Sequence, residues 1–484
     1  MKPTWLLAIL ISVLFLSFAL PATAAEKKTL QDEIIYDLLI DRFFNKGIQN
    51  DINVNSLDPT SFSGGDFAGL SSEMQYIKDM GFTMLSIGPV FSTASYDGKE
   101  VVDYSQLEPR FGTKEELKEV IDKAHELNMK IIIDLPTQRV NANHVWRKDN
   151  PKWFLENEDG TLALDTGNSE VETQLINQMS SFVKEYKVDG IRLHSVGELN
   201  TAFINGFSAS MKSLRNMYIL SDDSSSGIPG LDATVEPGIE KALRNFYKSV
   251  DPEPADFENT WSEAKGSLTQ VDSLLNSRFT ADVVAMNAFP PTRWNLLTFQ
   301  LFTMPGIPVI QYGSEIAVNG TEAPESHPIL DLGVDEELID HITNLTSLRN
   351  KSAALRTGDF EVLHEDKGWL VYKRSNDEDT WIIAINNSSS TQSVTLPAQV
   401  LGDDKELRGL FENNIVRQDT NGNYKITLDR ELGEAFNVIE QKGFNKAYIL
   451  ALIVLYSTFI LFLWFAKQRG KKKEGRKNLE NSNS

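Results

Sequence analysis

The stretch Lys114–Asp134, KEELKEVIDKAHELNMKIIID, joins an amphipathic helical pattern, Lys114 through Leu127, to an apolar run, Lys130 through Ile133, that stops on a carboxylate, Asp134. A helix that feeds a buried strand is half of a parallel-sheet repeat, because parallel neighbours need a crossover and a helix supplies it. The same texture recurs on both sides. Met80 to Gly88, MGFTMLSIG, reads as a buried strand after a helix, and Lys187 to Ser195, KVDGIRLHS, approaches the end of another at Arg192 and His194. Repeated from about residue 34 to about 348, such units lead us to expect a closed α/β fold, the (β/α)8 TIM barrel.

Beyond about Ala354 the pattern changes. The runs Gly368–Lys373, Thr380–Asn386 and Ser393–Leu396 alternate apolar and polar residues and are separated by Asn, Asp, Ser and Gly. This is the texture of an antiparallel β-sandwich domain, expected over residues 354–438, after a barrel over residues 26–350.

The ends of the chain are read separately from the fold. Residues 1–25 combine Lys2, an apolar run from Trp5 to Leu20 and an Ala-x-Ala site, the pattern of a secretory signal peptide. Residues 447–466 carry no charge, hold Tyr448 and Trp464 near their two ends, and are followed by the basic tail 467–484. Twenty residues at about 1.5 Å each span a bilayer core, and the basic flank places the tail on the cytoplasmic side. The expected localisation is the cell membrane, single-pass, with a C-terminal anchor and an extracellular body.

The formal net charge is −21, although the tail and the first 25 residues are net positive, so the exported body is more acidic still. Such a surface repels nucleic acid, and none is expected as a partner. There is no cysteine, which removes disulfides, thiolate metal sites and thiol nucleophiles. The six histidines are scattered without metal-site spacing.

In a barrel of this kind reactive groups gather at the C-terminal ends of the strands. The candidates are Asp134, Arg192 to His194, the end of Leu220-Ser221-Asp222, and Val283 to Asn287 read as a fourth strand. Several segments around them resemble the alpha-amylase family of retaining glycoside hydrolases and transglycosylases. They are Asp41–Asn45 with Gly64–Leu70, then Asp103-Tyr104 with Glu108–Thr113, and finally Pro305–Pro308 with Tyr312-Gly313 and Glu315. They stand in the family's order, and the C-terminal domain resembles its sandwich.

The resemblance implies a carboxylate nucleophile and a carboxylic acid about 5–5.5 Å apart across a glycosidic bond, with a third carboxylate holding the sugar. By this alignment the nucleophile position holds His194, the acid position holds Asp222, and the third acid position, two residues after Asn287, holds Phe289. Lys99 stands where the family stacks a tyrosine on the sugar, Gln138 and Arg139 replace an Asn-His pair, and Gly197-Glu198 replace a Lys-His pair. The substrate-binding positions implied to survive are Asp134, Arg192 and Asn287. The resemblance also implies a Ca2+ loop with oxygen donors from Asn45, Asn50, Asp51, the Gly64 carbonyl and Asp66.

Three readings follow for function. The leading one is a catalytically degenerate surface protein that binds an α-glucan or an envelope partner. The second is an active glycosidase or transglycosylase on α-linked oligosaccharides, with atypical catalytic residues. The third is an interaction module without sugar affinity.

Overall fold

The computed structural model of the chain describes residues 28–224, 227–262, 264, 266–333, 336–441 and 446–480; the expected signal peptide lies outside them. Seven parallel strands form the central sheet. In chain order they are β1 (Ile35–Asp37), β2 (Met84–Ser86), β3 (Lys130–Leu135), β4 (Gly190–Leu193), β5 (Tyr218–Ser221), β6 (Leu268–Thr269) and β7 (Ile307–Gln311). Their spatial order follows the chain, with β7 paired to β1. Between β5 and β6 the segment 233–235 completes the ring through parallel bridges from Ala233 to Leu220 and from Val235 to Leu268. The expected eight-membered barrel therefore closes, with its eighth position reduced to single bridges.

The helix–strand unit at 114–134 shows why the repeat forms. Helix α2 (Lys114–Glu126), which follows α1 (Phe67–Asp79), opens on a capping box in which Thr113 and Glu116 satisfy each other's backbone N–H groups. It buries Leu117, Val120, Ile121 and Ala124 on one face. In β3 the pleat then divides the isoleucines. Ile131 and Ile133 join the large core shared with the helices, and Ile132 joins a smaller cluster inside the barrel. Further helices α3 (Ser169–Tyr186), α4 (Thr201–Leu214) and α5 (Pro237–Tyr247) cover the later strands.

One sequence expectation fails here. Val283 to Asn287 is not a strand: residues Phe279–Ala285 form helix α6, and Phe289 caps α7 (Pro290–Thr303). The Val-Val pair suggested β structure, but Phe279, Thr280 and Val283 are the buried residues, at helical spacing on one face. The true strand, β6, has two residues, too few to show a period.

After α8 (Glu337–Lys351) the chain enters the β domain. Its strands are β8 (Asp359–Asp366), β9 (Trp369–Ser375), β10 (Thr380–Asn386), β11 (Gln392–Pro397), β12 (Lys405–Gly409), β13 (Ile415–Arg417), β14 (Asn423–Leu428) and β15 (Leu432–Glu440). They build a six-stranded sheet in the order β8-β9-β10-β15-β12-β13 and a β11-β14 pair, both antiparallel. Trp369, Val371, Ile382, Leu407, Tyr424 and Phe436 pack between them, the expected sandwich. Buried Arg293 of α7 fastens the domain to the barrel through Asn387 and Glu431.

The last helix, α9 (Lys446–Glu480), contains Tyr448–Gly470, 23 residues with none of their apolar window buried. Among the described residues it is the one helix long and apolar enough to cross a bilayer.

Candidate active site

Side chains two apart on a strand share a face, so the barrel interior can be read in layers. Ile35, Met84, Ile132, Leu220, Leu268 and Val309 form an apolar plug. Two residues further along, on the same inward face, come Asp37, Ser86, Asp134, Asp222, Gln270 and Gln311, with Arg192 in register beside Asp134. The strand order thus brings charges from four strands into one layer at the C-terminal mouth.

These charges alternate in sign. Arg192 reaches Asp37 with two bonds of 2.9 Å and Asp134 with bonds of 2.8 and 2.7 Å. His194 Nε2 lies 2.8 Å from Asp134 Oδ2, an ion pair by distance that is not aligned as a hydrogen bond, and Nδ1 lies 3.1 Å from Asp222 Oδ2. The series Asp37, Arg192, Asp134, His194, Asp222 therefore alternates acidic and basic groups. Burial of the His194 ring opposes its charge, but Asp222 and Asp134 outweigh that and raise its pKa above the ordinary histidine value. Burial likewise pushes the Asp134 carboxyl up, while Arg192 and His194 hold it well below the usual carboxylate range.

Asp222 is committed elsewhere as well, because its Oδ1 accepts the Ser195 amide at 3.0 Å. Above this layer opens a cleft of ≈ 500 Å³ lined by Lys99, Gln138, Arg139, Glu158, Asp159, His194, Ser195, Glu198, Asp222 and Leu275. Lys99 is paired with Asp97 at 3.5 Å and Arg139 with Asp159 at 2.9 Å. Asp37, Arg192, Gln270, Ser273 and Leu274 line a second, smaller cavity that shares His194, Asp222 and Leu275 with the cleft.

The structure thus brings His194, Asp222, Asp134, Arg192 and Lys99 together. Asn287 and Phe289 stand apart: Asn287 is exposed with φ 54°, Phe289 is 67% exposed, and neither lines the cleft, because they follow a helix instead of ending a strand. What faces His194 and Asp222 from the β6 side is Leu275, which is 59% exposed. Sequence reasoning missed it because a two-residue strand hides where the cleft begins. Arg278 to Phe279, buried at the start of α6, is the signal that could have bounded the preceding loop.

The residues expected to hold Ca2+ lie around two glycines of the first loop. A Cβ on Gly64 would fall 2.4 Å from Asn45 Nδ2 and 2.8 Å from Asp51 Oδ1, and one on Gly47 would fall 2.8 Å from Asn50 Oδ1 and 2.9 Å from Asp66 Oδ2. Two carboxylates and two amides therefore crowd around two glycines that leave room for no side chain. Here the Asn45 amide nitrogen donates to both Asp51 oxygens at 3.0 and 3.3 Å, and Asp66 accepts the Gly47 and Gly69 amides at 2.6 Å each, so both carboxylates are paired within the protein. Among the described residues no three His, Cys, Asp or Glu side chains form a metal cluster, and the expected donor set includes two carboxylates, Asp51 and Asp66.

A closed (β/α)8 barrel with a polar cleft at its C-terminal strand ends and a sandwich behind it defines the class. Residues 37–152 match the alpha amylase catalytic domain model and residues 358–436 the alpha-amylase C-terminal domain model. The crystal structure of an Anoxybacillus alpha-amylase is 34% identical, with a TM-score of 0.82 over 86% of this chain and 100% of that one. The alpha-amylase of Geobacillus thermoleovorans, complexed with acarbose, is 32% identical, with a TM-score of 0.81 and the same coverage. A cyclomaltodextrinase from Geobacillus thermopakistaniensis is 27% identical over 387 residues, 71% of this chain and 66% of that protein. The chain belongs to the alpha-amylase family. It spans 37% of the length of another relative, the beta/alpha-amylase of Paenibacillus polymyxa.

Proposed function

We propose that this chain is a membrane-anchored family member that binds an α-glucan in its cleft without cleaving it. The observation that carries this reading is His194 lying between Asp134 and Asp222. Retaining hydrolysis needs an anionic nucleophile facing an oxocarbenium-like centre and an acid free to protonate the leaving oxygen. An imidazole brings no negative charge to that centre, and Asp222 already accepts the Ser195 amide with the ring 3.1 Å away. Leu275 adds no carboxylate from the far side.

The competing reading, an active glycosidase, has Asp222 and Glu198 in the cleft on its side. Assay of the full chain in detergent on maltotriose and chromogenic α-glucosides separates the two: we expect no turnover, together with a heat of maltotriose binding in calorimetry. Turnover that Asp222→Asn abolishes would overturn the degenerate reading. Absence of both heat and turnover would favour the interaction module instead, with an envelope protein as its partner.

The body is held at the cell surface by Tyr448–Gly470, whose length suits one crossing. For the first loop we propose a Ca2+ site formed by Asn45, Asn50, Asp51, the Gly64 carbonyl and Asp66; the ion would tie the 45–51 turn to the start of α1. Removing it by chelation is expected to lower the melting temperature by about 2–4 °C, and Asp51→Asn to remove that sensitivity. Identical melting with and without chelator would count against the site.

A further inference from the structure

Both ring nitrogens of His194 face a carboxylate oxygen, at 2.8 Å and 3.1 Å. A neutral imidazole offers one N–H and one lone pair, so only the imidazolium satisfies both neighbours. Once the ring is neutral, one carboxylate meets a lone pair at close range and that contact must open. The two carboxylates are not equally free to move. Asp134 is fully buried and both its oxygens accept from Arg192, whereas Asp222 sits at the cleft edge. When the ring is neutral, Asp134 therefore stays in place on Arg192 and Asp222 is the carboxylate that moves away.

Asp222 in turn holds a piece of the cleft wall. It accepts the amide of Ser195, whose φ of 50° is left-handed and strained for a residue with a side chain. Ser195 leads directly into the turn Val196–Glu198, and the neighbouring Asp223 accepts the Gly197 amide at 3.0 Å. Ser195 and Glu198 both line the cleft.

We propose that His194 is a pH-sensitive positioning residue: its charged ring holds Asp222 and, through the Ser195 amide, keeps the 195–198 wall in the shape that accepts a sugar chain. This rests on the glucan-binding reading and adds its regulation. The charged groups facing the ring are Asp134 from β3, Asp222 from β5 and Arg192 from its own strand, with Asp37 of β1 behind Arg192. Lys99, Arg139, Glu158, Asp159 and Glu198 surround the outer cleft, where Lys99 and Arg139 are each paired with an aspartate. Because Asp37 offsets Arg192, the two remaining carboxylates favour the cation. The raised pKa of the ring agrees with this balance.

The test uses the full chain in detergent between about pH 5 and about pH 9. Hydrogen exchange of ligand-free protein follows residues 195–198, and calorimetry follows maltotriose. On raising the pH through the His194 midpoint, protection of 195–198 and maltotriose affinity are each expected to fall roughly tenfold, the equivalent of one hydrogen bond. His194→Gln, which never carries charge, and Asp222→Asn, which keeps an oxygen for the Ser195 amide, are expected to show neither dependence. Maltotriose binding with the same affinity across the midpoint would overturn this proposal and leave the glucan reading standing. No maltotriose binding at any pH would overturn both. Because the wild-type profile is itself decisive, a variant that fails to fold does not remove the test.

Discussion

Around the barrel mouth the ends of β1, β3, β4 and β5 bring together Asp37, Asp134, Arg192, His194 and Asp222, whereas the end of β6 brings Gln270, Ser273, Leu274 and Leu275. The first half is charged, buried and internally paired. The second presents no charge to the cleft, its Asp272 being paired with Arg244 and Arg278, and its Leu275 is open to solvent. Glycosidic cleavage needs charge presented to a sugar from more than one side. At the cleft floor the charge sits on one side and is paired, while Lys99, Arg139, Glu158, Asp159 and Glu198 stand around the outer cleft.

The comparison is broken most severely at Arg192. Replacing it by leucine leaves Asp37 and Asp134 buried without their shared cation, and a loss of about 3–5 kcal/mol is expected in chemical denaturation. A loss below about 1 kcal/mol would show that the two carboxylates do not depend on it.

Introducing a carboxylate into each half sharpens the contrast. His194→Asp places a third carboxylate between Asp134 and Asp222, and should cost about 2–3 kcal/mol. Leu275→Asp, at an exposed position, should change stability by no more than about 0.5 kcal/mol. Equal costs at the two sites would dissolve the distinction between the halves.

The smallest effect is on the pH dependence of stability. Because the folded-state pKa of His194 is raised, its stabilising contribution is complete below the unfolded histidine value of about 6.5. It is lost as pH rises through the folded value, so the stability gap between wild type and His194→Gln should narrow above about pH 6.5. The gap closes by about 1.4 kcal/mol for each unit by which the pKa is raised. A gap that stays constant over that range would show that the ring is not the charged partner of Asp134 and Asp222.

Much of the molecule was legible in order of the chain. The helix–strand unit at 114–134 announced its amphipathic helix, its apolar strand and the carboxylate Asp134 at that strand's end. The ends of β4 and β5 were equally legible, because Arg192, His194 and Asp222 follow clear apolar runs. The β6 side was not. A two-residue strand leaves no periodic trace, and a helical Val-Val pair nearby imitated the missing strand, which moved the third acid position to Asn287 and Phe289. The closing bridges at Ala233 and Val235 escaped for the same reason.

By itself the sequence determined the repeat, the change of texture at the β domain, the apolar C-terminal segment and a histidine, His194, two residues after Arg192 at the end of an apolar run. These are properties of residue type and spacing along one strand or helix. Only the tertiary structure decided that His194 stands between Asp134 and Asp222, that Arg192 also holds Asp37, and that Leu275 completes the cleft. Those contacts join residues from strands far apart in sequence, and it is barrel closure that sets their distances, and with them whether a charge is free to act or already paired.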